Sequence, residues 1–80
     1  MEKFEVQLGL LDKAKLWLAG QRKSFCTLRP EGKTLHFMVD EVSSEPDMTH
    51  YIGHTASGAI VNVRMYSTTP LATILVAPFP

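Results

Sequence analysis

Eighty residues, a single cysteine and a formal net charge of zero exclude several classes of protein at once. The length allows one domain, residues 1–80, with a small core, and one thiol excludes an internal disulfide framework and points to a reduced, cytoplasmic setting. Neutrality argues against nucleic acid as a partner and leaves little colloidal repulsion to oppose self-association.

Residues 1–5 alternate charged and apolar side chains, without the basic and apolar regions of a secretion signal. Residues 2–19 fit an amphipathic helix. At 100° per residue Phe4, Leu8, Leu11, Ala14 and Leu18 share one face, widened by Val6, Leu10 and Trp17. Glu2, Glu5, Gly9, Asp12 and Lys13 share the other, with Leu16 as the apolar exception. Gly20 is a natural stop, followed by Arg22 and Lys23. A second reading makes residues 4–8 a short strand, because Phe4, Val6 and Leu8 also alternate, with Gly9 as the break and a shorter helix over 10–19.

Residues 24–29 read as a strand, and Pro30, Glu31 and Gly32 as turn chemistry. Residues 34–42 alternate, Leu35, Phe37 and Val39 against Thr34, His36, Met38 and Asp40, which predicts an antiparallel hairpin. Residues 43–47 read as a loop, in which Ser44 and Asp47 also match a helical capping pattern. Residues 49–55 and 59–66 flank a turn centred on Ser57 and Gly58, a second hairpin. That register sets Tyr51 opposite Arg64 and His54 opposite Val61. Residues 67–70 connect to a last strand, 71–77, apolar on both faces except for Thr73 and therefore expected inside the sheet. This run is also far too short to span a bilayer, so no membrane partner is expected. The expected fold is α+β: one N-terminal helix on an antiparallel sheet of four to five strands, or the variant with a short first strand.

Residues 48–80 carry one formal charge, Arg64. An uncharged, β-branched stretch of this kind aggregates unless covered. One helix covers one face of a sheet, yet residues 59–66 and 71–77 are apolar on both. A second copy or another protein is the expected cover.

No catalytic signature stands out. His50 and His54 lie four apart, about 13 Å along a strand, which is too far to share a metal. Cys26 sits in an apolar strand, where a lone thiol is a small buried hydrophobe. Ser57 lacks a nucleophile-elbow frame, and no two carboxylates are arranged for acid–base work. Arg22, Lys23, Arg29 and Lys33 lack the interleaved aromatics of an RNA-binding sheet and read as a solvated edge. Arg64 is the informative polar residue: half-buried, it must pair with an acid, stack on Tyr51 or Tyr66, or hold an anion.

The expectation is a non-enzymatic interaction protein without cofactor or metal, homo-oligomeric and binding another protein through an apolar sheet surface. Small neutral chains of this kind are common among phage and mobile-element inhibitors of host systems. The alternative is a binder of an anionic metabolite or nucleotide at a subunit interface. Arg64, Tyr51, Tyr66, His54 and Ser57 are the expected contact residues.

Overall fold

A computed structural model describes residues 1–79; Pro80 lies outside the described residues. Among the described residues the fold is α+β, one helix and one antiparallel sheet of six strands. The chain runs β1 (Glu2–Gln7), α1 (Leu10–Arg22), β2 (Phe25–Leu28), β3 (Leu35–Glu45), β4 (Met48–His54), β5 (Ile60–Tyr66) and β6 (Leu71–Ala77), with a 3-10 turn, Pro30–Gly32, between β2 and β3. The spatial order is β1-β6-β5-β4-β3-β2. Consecutive hairpins carry β2 to β6 across the sheet, and β1 returns beside β6, which places the apolar last strand inside the sheet.

The sixth strand corrects the expectation of a helix over residues 2–19 and a sheet of four to five strands. Glu2–Gln7 pairs with β6, Phe4 opposite Ile74 and Val6 opposite Ala72. Alternation wins over helical periodicity because Phe4 and Leu8 gain a buried sheet face that an isolated helical turn could not offer. Gly9 then marks the start of α1, not its middle.

α1 also faces the other way. Its buried residues are Leu16, Ala19 and Gly20, so the leucine that looked misplaced in the polar stripe anchors the helix. Gly20 is internal to the helix, and a Cβ there would lie 2.5 Å from Val42 Cγ2 and 3.2 Å from the Tyr51 ring. Glycine therefore permits the close approach of α1 to the sheet. The helix ends instead at Lys23, which takes a left-handed cap conformation (φ 50°) with its N–H donated to the Ala19 carbonyl.

The core occupies the inner face of the sheet: Phe4, Leu28, Phe37, Val39, Tyr51, Val61, Val63, Ala72 and Ile74, closed by Leu8, Leu16 and Ala19. The sheet curls, so that edge strand β1 comes against the 3-10 turn near the opposite edge. Lys33 after that turn bridges to Glu2 at 2.8 Å and sits 5.8 Å from the Phe4 ring centre. The bridge holds the Glu2 carboxyl below, and the Lys33 ammonium above, its ordinary pKa.

Two turns differ from expectation. Residues 43–47 form no helical turn. Ser43, Ser44 and Glu45 extend β3, and Glu45 pairs with Met48 around Pro46 and Asp47. The β4–β5 turn is centred on Ser57, with three residues between Thr55 and Ala59, and not between Ser57 and Gly58. Thr55 N–H donates to the Ala59 carbonyl, Gly58 N–H donates to the Thr55 carbonyl, and Gly58 takes φ +90°. That geometry is the three-residue hairpin whose last residue must be left-handed, and it shifts the register by one. Tyr51 pairs with Val63, His50 with Arg64, and His54 with Ile60. A one-residue shift moves side chains to the opposite face, so Tyr51 and Arg64 point away from each other.

β3 carries a bulge between Val39 and Glu41. It interrupts the alternation expected over residues 34–42 and re-phases the strand, setting Val42 opposite Tyr51 on the inner face.

Candidate functional site

Three surfaces bring functional side chains together. The first is the outward sheet face. Alternation along β5 buries Val61 and Val63 and turns Ile60, Asn62, Arg64 and Tyr66 outward; along β6 it turns Leu71, Thr73 and Leu75 the same way. Across the sheet Arg64 lies between Thr73 and His50 in register, and Tyr66 is beside Met48. Among the described residues no helix packs over this face, since α1 contacts β2 and β3 from the inside.

Among the described residues Arg64 has no acid within ion-pair distance and no side-chain hydrogen bond. Its register neighbour His50 is occupied, Nε2 donating to Asn62 Oδ1 at 2.8 Å. His54 is on the same face, with Nδ1 donating to Asp40 Oδ2 at 2.7 Å. The structure therefore brings Arg64, Tyr66 and His54 to one face and separates two of the expected contacts from it. Tyr51 is in the core, 4% exposed, and burial raises its phenol pKa. Ser57 lies in the β4–β5 loop, its hydroxyl 3.0 Å from Thr55 Oγ1.

That loop borders the second surface, a cavity of about 650 Å³ at one mouth of the curled sheet. Leu35, Val76 and Ala59 give it apolar walls, and Glu2, Thr34, His36, Thr55 and Ser57 polar groups. His36 is already engaged, with Nδ1 2.6 Å from Thr27 Oγ1 and its ring stacked on Phe25.

The third surface is the outer face of α1, which periodicity assigned to the core. Leu10 is 86% exposed, Leu11 70%, Trp17 57% and Leu18 46%. At helical spacing they form one apolar stripe with Ala14. The missed signal is local: Leu16, Ala19 and Gly20 share one side of the helix, and the small Ala19 and Gly20 let that side approach the sheet closely. Beside the stripe a groove of about 360 Å³ runs between α1 and β2. It is lined by Lys15, Leu18, Arg22, Phe25, Cys26 and Thr27, among others.

Burial pushes the Cys26 thiol up to about 11, so it stays protonated near neutral pH. Among the described residues no three His, Cys, Asp or Glu side chains are grouped to hold a metal ion, and no helix is long and apolar enough to cross a membrane. Compared with known proteins, the chain matches no family model, no curated protein and no solved structure.

Proposed function

We propose that the chain is a non-enzymatic interaction protein that docks apolar surface onto another protein, and that it self-associates through the same surface when no partner is present. The observation that supports this most directly is the outward stripe of α1, Leu10, Leu11, Trp17 and Leu18. Large side chains at this spacing are normally the buried side of a helix, and contiguous exposed apolar surface marks interaction sites. The outward sheet face, with Ile60 and Leu71 also exposed, is the second docking surface.

The test is the pair Leu11→Glu and Trp17→Glu. Both positions are outward, so the melting temperature should hold. Light scattering over a range of concentrations should show association in the native chain and its loss in the double variant, and proteins retained from the native cell lysate should be lost with it. A monomeric native protein whose retained partners are the same as those of the double variant would defeat the reading.

The second reading, capture of a small anion, rests on Arg64, a partly buried guanidinium without an acid partner among the described residues. A bound nucleotide or anionic metabolite would raise the melting temperature by mass action, and Arg64→Ala should abolish the rise. A panel without any shift counts against it.

A further inference from the structure

β2 is an edge strand, and its free side faces the groove beside α1. The hydrogen-bond phase fixes what that side offers. Val39 N–H donates to the Ser24 carbonyl, and Phe25 follows in register opposite Met38. In an antiparallel ladder bonded and non-bonded pairs alternate, so Cys26 and Leu28 point their backbone groups at β3. The N–H and C=O of Phe25 and Thr27 therefore point away from the sheet, into the groove. The opposite edge is different: β1 bears alternating charges (Glu2, Lys3, Glu5) and is approached by the 3-10 turn and Lys33, the usual ways of closing an edge.

The groove walls suit the side chains of an added strand. Inward-pointing residues would meet Lys15 and Arg22 beside Leu18, Ala19 and Cys26; outward-pointing ones would lie beside Phe25 and Thr27. The charges in the lining are Lys15 and Arg22, with no acid among its residues. Asp12, on the preceding turn of α1, is the nearby acid that acts on Cys26 together with Lys15. Arg29 follows β2 at its far end. A second copy pairing β2 to β2 would bring the same cations against each other.

We infer that β2 and the flank of α1 form an acceptor site for an extended segment of a partner protein in which apolar and acidic residues alternate. The added strand satisfies the edge groups of Phe25 and Thr27, turns its carboxylates inward to Lys15 and Arg22, and lays its apolar residues on the outward side beside the Phe25 ring. The inference rests on the protein-docking reading and names the class of partner.

The experiment uses the full chain and two fluorescein-labelled eight-residue peptides, one alternating valine with glutamate and one alternating valine with lysine. Fluorescence anisotropy should show the glutamate peptide binding at least tenfold more tightly than the lysine peptide. In the Lys15→Glu/Arg22→Glu variant, where both changes are at exposed helix positions, that preference should reverse. N-methylating alternate residues of the glutamate peptide, which blocks strand addition and leaves the protein untouched, should weaken binding at least tenfold. Absent binding, equal binding of both peptides, or indifference to N-methylation overturns the inference, as does loss of self-association in Thr27→Pro, which would make a second copy the occupant. These readouts are separate from those of the helix stripe. Failure here, with the Leu11→Glu/Trp17→Glu result intact, removes the acceptor groove and leaves the docking reading standing.

Discussion

Alanine at Gly53 is expected to cost about 3 kcal/mol or more, a large part of the roughly 4–12 kcal/mol that stabilises a chain of this length. The position is in β4 opposite the β3 bulge. A Cβ there would run into the Met38 carbonyl oxygen, with the carbonyl carbon 2.9 Å and the Phe37 ring 3.2 Å away. The obstacle is backbone, held by the pairing of β3 with β4, so it cannot swing aside as a side chain would. Relief requires opening the ladder between Met38 and His54 or displacing Phe37 from the core. The melting temperature should fall by about 12 °C or more. Gly9→Ala is the control, since nothing lies within 4 Å of a Cβ at that site; it should change the melting temperature by no more than about 3 °C. Equal melting of the two variants would rule out the bulge geometry.

The second large effect belongs to Leu16. It is fully buried, and truncation to alanine should cost about 2–5 kcal/mol, lost transfer energy plus the cavity left between α1 and the sheet. Leu10→Ala, on the outward side of the same helix, should stay within about 0.5 kcal/mol. Urea denaturation of the two variants measures this directly, because the midpoint shifts in proportion to stability at constant m. The ordering is the point: a helix turned as its periodicity suggests would make Leu11 and Leu18 costly to truncate and Leu16 cheap.

These two positions also show what could be read from the residues. Strand content was legible wherever alternation and turn chemistry agreed: Leu71–Ala77 has the expected limits, and the hairpin from β2 to β3 turns at Pro30–Gly32 as expected. Arg64 is partly buried on a strand, as its isolation among uncharged residues implied. The orientation of α1 was not legible, because averaging over residues 2–19 counted Phe4 and Leu8, which belong to the strand side of Gly9, as part of the helical face. Once they are removed, the remaining apolar stripe is real but faces outward, and the burying side is chosen by how closely Ala19 and Gly20 allow β3 to approach. The register between β4 and β5 turned on one residue. Gly58 serves as the left-handed end of a three-residue loop, a choice the sequence Ala56-Ser57-Gly58 leaves open, and it decided which tyrosine accompanies Arg64. Residues 43–47 read as a loop because of Ser43, Ser44 and Pro46, but β3 runs on to Glu45 and the chain turns at Pro46 and Asp47.

Pairing β1 with β6 has a kinetic side. Glu2 meets Val76 and Phe4 meets Ile74, contacts between opposite ends of the sequence, whereas every other strand pair is a local hairpin. Closing a loop of that length costs entropy before any contact compensates it, and contacts of high sequence separation slow folding. On the ribosome the first strand must wait for the last to emerge. Until then Phe4 has no sheet to join. The meander from β2 to β6, built of local hairpins, can assemble before the N-terminal strand docks.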